Sequence, residues 1–468
     1  MYLAGIGARL LRSHVSRRSP TTKPPPGLEP SLPQRTTQQH IDVDYDTAVD
    51  YPDRGPTIRT EIVSEYNATH EFDNNDALEG GCGPLSNCKD ITAPMADLIG
   101  DVQGIQWSAL NMTRASYRKT RMDKYLQFNN QEAMMTGTPA NHSVDAVDET
   151  DTYMQFVRNT RRGAPTILHF QLRHLISALS SDAVLIMNSN RVFRCDTDRQ
   201  TVELVLDLSG AGALDQVAIS TIHNDGRLLF AGGFHGEIVV QALDSGQILH
   251  RSRLTTAENS ISNSLTSSAA CLYAANNDNF VQVLDIGTLQ PLKRYDFDAP
   301  VNHCSGSADG NLLCMVGDST IGYIIDRRSD RQVAKLAGHH DFSFASSWHP
   351  NRYVIATGNQ DRTCRVWDLR NTTTSTATLG AKLAAIRSVR FSPDGAFLGV
   401  AEAADFVHVY DCAGDLKSSQ TVDFFGEMAG FDWSPDGNAM YVGISDQIYG
   451  SMLQYERRQL GLLPAVTI

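Results

Sequence analysis

The stretch Ser392-Pro393-Asp394-Gly395-Ala396-Phe397-Leu398 reads as a tight turn feeding an apolar strand. Asp-Gly suits such a turn because glycine takes a positive φ without steric cost and aspartate tolerates one. The pattern returns at Ser434-Pro435-Asp436-Gly437-Asn438-Ala439-Met440, at Ser307-Ala308-Asp309-Gly310-Asn311-Leu312-Leu313 and at His223-Asn224-Asp225-Gly226-Arg227-Leu228-Leu229. Around these turns, from about Thr166 to Tyr455, short apolar runs alternate with Gly/Asn/Asp/Ser clusters at hairpin spacing, which is the mark of an all-β domain. A second mark ends a later strand of each unit: Asp244, Asp285, Asp326, Asp368 and Asp411, separated by 41, 41, 42 and 43 residues. Asp196 and Tyr455 extend the series by 48 and 44. Seven units of about 42 residues fit the span, the period of four-stranded blades set round an axis.

The expected fold is therefore all-β, a seven-bladed β-propeller over residues 166–460 with a short tail at 461–468. Its last unit stops at a third strand, Tyr449 to Tyr455. The apolar stretch Thr166-Ile167-Leu168-His169-Phe170-Gln171-Leu172 stands ahead of the first unit and is expected to supply the missing outer strand. Closure of that kind covers the edges that a lone blade would expose.

The chain before the repeats differs. Residues 1–40 hold six Arg/Lys against Glu29 alone, with a Lys23-Pro24-Pro25-Pro26-Gly27 run. Residues 41–79 then carry eleven Asp/Glu against Arg54 and Arg59. So little apolar content cannot offset the entropy of chain ordering, and residues 1–90 are expected to be a disordered arm. The stretch from Met1 to Arg18 is compositionally like a mitochondrial presequence, a reading set aside in favour of a tail. Residues 91–165 are expected to form a short helical segment and linker packed on the propeller. Thr113 is the expected N-cap of a helix reaching Phe128, with Tyr117, Arg121 and Tyr125 on one face and Arg118, Lys119 and Lys124 solvated.

Composition narrows the class. The 468 residues are 41% hydrophobic and 20% charged, and no stretch approaches the ~18 apolar residues of a membrane span. A net charge of −13 argues against a general nucleic-acid binder. Eight cysteines without a CxxC pair point to a reducing compartment, so a cytoplasmic or nuclear location is expected. There is no GxxxxGK[ST] loop, HExxH or GxSxG, and no enzyme activity, metal or cofactor is expected.

One unit carries Gly338-His339, Ser347-Trp348-His349-Pro350, Val354 to Gly358, Asp361 and Arg365-Val366-Trp367-Asp368. It resembles the WD repeat of transducin-like propellers. The resemblance implies a structural hydrogen-bonded set of His339, Thr357, Asp361 and Trp367. Over about 360 residues the chain is also similar to a poorly characterised group of plant and fungal WD-repeat proteins, through stretches that include Thr166 to Leu175, Gly358 to Arg370 and Phe425-Gly426-Glu427.

That group brings no settled activity, and the expected role is a non-catalytic scaffold for protein partners, with no membrane, nucleic-acid or small-molecule ligand in view and an enzyme with a central-channel site as the lesser alternative. Ile355 to Arg370 also resembles the box by which some WD-repeat proteins dock on the damaged-DNA-binding adaptor of cullin-RING ubiquitin ligases. That would make Trp367, Asp368 and Arg370 the adaptor contacts of a substrate-recognition subunit. Loops on one face gather Asp278, Asp318, Arg362, Glu402, Asp405 and Asp446 as a candidate partner-binding face, whose acids would attract a basic peptide.

Overall fold

The computed structural model describes residues 90–125, 143–149, 152–210, 216–257, 259–446 and 448–458. The arm at 1–89, the presequence-like stretch, Phe128 and the tail at 461–468 lie outside the described residues.

The first sheet runs Ile176–Ala178, Ala183–Asn188, Arg191–Asp196 and Thr201–Asp207 in spatial order. Four further four-stranded sheets repeat this sequential antiparallel order, from Ile219–Asn224 to Ala377–Gly380. The remaining sheet has eight strands, because the 15-residue strand Ser419–Trp433 serves two units at once. Its first part pairs with Ala404–Asp411 and its second with Ala439–Ser445, with Gly426 at φ +134° between them. The first strand of each unit touches the first strand of the next, and the second part of Ser419–Trp433 returns to Ile176–Ala178. The ring is thereby closed.

Burial follows position in each sheet. Leu228–Gly233 and Glu237–Ala242, in the middle, are buried throughout, whereas the outer strands Ile248–Arg253 and Pro291–Asp296 are largely exposed. Successive sheets pack face to face. Leu185, Met187 and Val192 of the first meet Val217, Ile222 and Leu229 of the second. Each such side chain contributes about 1.5–3 kcal/mol on burial.

The recurring turns have one construction. Ser392 Oγ donates to Asp394 Oδ1 at 2.6 Å, Asp394 Oδ1 accepts the Ala396 N–H, and the Phe397 N–H returns to Ser392 Oγ at 3.0 Å. Gly395 sits at φ +75°. Ser434 and Asp436 repeat the arrangement, as do Ser307 and Asp309. The strand-end aspartates close the next hairpin: Asp196, Asp285, Asp326, Asp368 and Asp411 each accept a backbone N–H two or three residues on. Both sequence marks are therefore turn chemistry.

The closing strand is not where the apolar pattern places it. Met154–Thr160 pairs antiparallel with Ser451–Arg457, Phe156 facing Tyr455, and Ile91–Thr92 extends the sheet beyond it. Thr166–Leu172 forms no strand, and Leu168 and Phe170 are exposed. An outer strand is half solvated, so a strong apolar run is a poor guide to it. Leu172 and Leu175, by contrast, are buried as the chain turns inward.

Candidate interaction face

The WD-like unit contains a continuous hydrogen-bonded chain. Trp367 Nε1 donates to Thr357 Oγ1 at 2.9 Å, Thr357 Oγ1 lies 2.8 Å from His339 Nε2, and His339 Nδ1 is 3.0 Å from Asp361 Oδ2. A proton on Nδ1 serves the carboxylate and leaves Nε2 to accept from the threonine hydroxyl. Burial raises the Asp361 pKa most strongly of any single cause, but the His339 contact together with hydrogen bonds from Thr363 and the His340 N–H outweighs it and holds the carboxyl well below its ordinary range. This chain ties two strands of one sheet, Val354–Asn359 and Thr363–Asp368, and the turn between them to the connection that enters the sheet, and a fully connected buried network of this kind rigidifies its surroundings.

Trp367 is 0% exposed, so its ring is not available to a partner. The other two adaptor-contact residues differ. Asp368 caps the following turn by accepting the Arg370 N–H at 2.9 Å, and the Arg370 side chain is 72% exposed while pairing with the same carboxylate.

The face residues divide by occupation. In three hairpins the last turn residue before the third strand takes a left-handed φ, namely Gly236 (+71°), Asn279 (+70°) and Arg362 (+65°), and Asp405 takes the same conformation (+72°) as the second residue of the strand Ala404–Asp411. Arg362 is exposed. Asp278 Oδ2 accepts from Thr255 at 2.7 Å, Asp318 Oδ1 from Asn302 at 2.8 Å, and Asp446 Oδ1 from the backbones of Ile448 and Tyr449. Glu402, fully buried, accepts the N–H groups of Lys382, Leu383 and Ala384 and meets His408 Nε2 at 2.9 Å. Glu402 is thus a clamp on the chain entering its blade, not a surface acid.

Asp405 meets a basic peptide, and that peptide is the chain's own. Helix α1 (Ala93–Ile99) and helix α2 (Arg114–Lys124) precede the sheets. Thr113 caps α2, its hydroxyl accepting the Ser116 N–H at 3.1 Å. Arg114, Arg118 and Arg121 fall on one face at i, i+4 and i+7. Arg114 forks onto Asp423 at 2.8 and 3.0 Å and reaches Asp101 at 3.3 Å. Arg118 bridges Asp405 and Asp423, and Arg121 joins it on Asp405. The Arg118 guanidinium lies 4.1 Å from the Phe425 centroid and 4.4 Å from that of Phe406, within cation–π range.

Arg118 is therefore mostly buried rather than solvated, while Lys119 stays exposed. Tyr117, Trp107 and Phe425 form an aromatic cluster with centroids 5.0–5.6 Å apart, in which Phe425 meets each of the other two rings edge to face. Buried Asp101 secures the approach by accepting from Trp107 Nε1 at 2.7 Å and from the Gln103 N–H at 2.7 Å.

A group of histidines lies further inside and was not singled out by the sequence. His174 and His303 are 4.9 Å apart between centroids, His303 Nδ1 accepts the Ser346 N–H, and His223 Nε2 meets Ser267 Oγ at 2.7 Å. Burial, with the nearby Arg390 charge, lowers His174 and His223 to about 3. No group of three or more His, Cys, Asp or Glu among the described residues has metal-binding geometry. No described helix is long and apolar enough to cross a membrane.

Residues 330–368 match the family model of the WD domain, G-beta repeat. EARP-interacting protein 1 of Caenorhabditis elegans is 32% identical over 118 residues, covering 25% of this chain and 32% of the relative. The WD repeat domain-containing protein 83 homolog of Dictyostelium discoideum is 30% identical over 122 residues, 25% of this chain and 37% of the relative. The chain thus spans about a third of the length of each. A solved chain in a crystal structure of the mitotic checkpoint complex superposes with a TM-score of 0.55 at 17% identity, over 68% of this chain and 97% of that one, a likeness of fold.

Proposed function

Because the chain is a WD-repeat β-propeller, we propose that it is a non-catalytic platform for protein partners, with the eight-stranded sheet read as two blades of a ring of seven. The fate of the buried polar groups carries this reading. Glu402 holds three backbone N–H groups, Asp405 two arginines, and Asp361 and His339 a structural chain. Groups engaged in that way hold geometry and are poorly placed for proton transfer. The name of the nematode relative, an interacting protein, accords with a binding role. Buried free thiols at Cys195, Cys271, Cys304, Cys314 and Cys364 accord with a cytoplasmic or nuclear setting.

Arg370 favours a second reading, a substrate-recognition subunit docked on a cullin-RING adaptor. Its guanidinium is exposed and charged, and with Nε and Nη2 turned to Asp368 it is held in place where an interface would meet it. Tagged full-length protein, purified quantitatively from its own cells beside Arg370→Ala, tests both readings. Recovery of the adaptor with the wild type and a tenfold drop in the variant, about 1.4 kcal/mol, would establish docking. Equal recovery of other partners by both baits would remove docking and leave the platform. Recovery of no partner by either bait would count against the platform itself.

A further inference from the structure

The second residue of successive inner strands is a bulge. Ladder pairing skips Ser220, Asn263, Asn302, Phe344 and Arg387. A bulged residue is free of the ladder and re-aims its side chain. Three of the five use that freedom identically, each bonding a backbone carbonyl at the start of the next inner strand. Ser220 reaches Ser262 at 2.6 Å, Asn263 reaches Val301 at 3.0 Å and Asn302 reaches Ser343 at 3.1 Å. These contacts stitch neighbouring units at one rim of the ring.

Phe344 and Arg387 abandon the stitch. The Arg387 guanidinium lies 3.7 Å from the Phe344 centroid and gives one hydrogen bond, Nη2 to Gln360 Oε1 at 2.7 Å. Arg387 is 5% exposed, and its Nε and Nη1 have no hydrogen-bond partner among the described residues. Arg173, 4% exposed, gives Nη2 to Glu427 Oε2 at 2.9 Å, while its own Nε and Nη1 are likewise unpartnered. Burial lowers Arg387 to about 9, and the nearby Arg173 charge adds to the effect. Burial also lowers His169 to about 4, and it feels both guanidinium charges.

Two buried guanidinium groups with four unpartnered donor atoms and one direct carboxylate between them are costly as a purely structural arrangement. Guanidinium forks match the geometry of carboxylate and phosphate oxygens, and such contacts strengthen where water is excluded. We propose that Arg173 and Arg387 form a binding site for a single oxyanion at the inner rim of the ring, supplied by a carboxylate or phosphate-bearing side chain of a peptide partner. Phe344 is the floor under Arg387, and Glu427 holds Arg173 toward the site. The proposal rests on the platform reading and names the chemistry that the platform recognises.

The test uses the full chain and three fluorescein-labelled peptides that are identical except for a central glutamate, phosphoserine or glutamine. The wild type is expected to bind at least one acidic peptide tenfold more tightly than the glutamine peptide. Arg387→Met is expected to abolish that preference and to melt at the same temperature or higher, because it removes a poorly compensated buried charge. Preference for both acidic peptides would assign a carboxylate-sized site, and preference for phosphoserine alone a phosphate site. Arg173→Met should weaken the same preference, giving a second variant should the first fail to fold. Absence of preference in the wild type, or its survival in both variants, would overturn the site. Partner recovery in the affinity purification would stand in either case, so loss of the site and loss of the platform are told apart.

Discussion

Gln103 and Phe425 exchange two hydrogen bonds although 322 residues separate them. The Gln103 side-chain amide donates to the Phe425 carbonyl at 2.8 Å, and its oxygen accepts the Phe425 N–H at 2.6 Å. One side chain thereby satisfies a backbone pair on Ser419–Trp433 that sheet pairing leaves over, and it ties the segment around α2 to the ring.

Gln103→Leu should consequently strand both Phe425 backbone groups in a buried setting. A cost of about 2–4 kcal/mol is expected, from two unsatisfied groups at about 1–3 kcal/mol each with partial relaxation. Limited proteolysis should cut between α1 and α2 in the variant before the sheets are attacked. Unchanged protection of that segment would contradict the tie.

Asp405→Asn keeps the shape and the left-handed backbone that asparagine tolerates, but leaves Arg118 and Arg121 without their shared buried charge. A loss of about 3–5 kcal/mol in urea unfolding is expected. Lys119→Ala, on the exposed side of the same helix, should change stability by less than about 0.5 kcal/mol. Comparable losses in the two variants would sink the clamp.

Thr357→Val removes the hydroxyl between Trp367 and His339 while nearly preserving volume. The stranded indole N–H and imidazole nitrogen should cost about 1–3 kcal/mol. The check is the urea midpoint at unchanged m-value.

Stability should also fall with acid before the carboxylates titrate. His174 and His223 are lowered to about 3 in the folded ring and titrate near 6.5 when unfolded. Between those values the unfolded chain binds more protons, so the contribution is complete above pH 6.5 and declines as pH falls toward 3. The slope is at most about 1.4 kcal/mol per pH unit for each histidine. Urea midpoints at pH 7 and pH 5 measure it, and His223→Asn should flatten the slope. A flat profile in the wild type would show these rings to be solvated.

Local turn chemistry determined most of what was legible in the sequence. Ser-x-Asp-Gly turns and strand-end aspartates recur because each satisfies nearby backbone N–H groups within a few residues, so the four-stranded unit and its period need no distant information. The His339, Thr357, Asp361 and Trp367 set came instead from the resemblance to the WD repeat, and its hydrogen bonds lie within one unit. Thr113 as the N-cap of α2 was local too.

What depended on distance in the chain was decided by the tertiary structure alone. The closing strand Met154–Thr160 is half solvated, and only its pairing with Ser451–Arg457 distinguishes it from linker. Asp405 and Glu402 have the composition of surface acids. Their burial follows from an arginine face almost three hundred residues upstream and from three backbone N–H groups at residues 382–384. Arg173 and Arg387 are ordinary arginines until ring closure sets them near each other, away from water. Coulomb and desolvation energies depend on spatial separation and exposure, which the order of residues does not carry until the ring is formed.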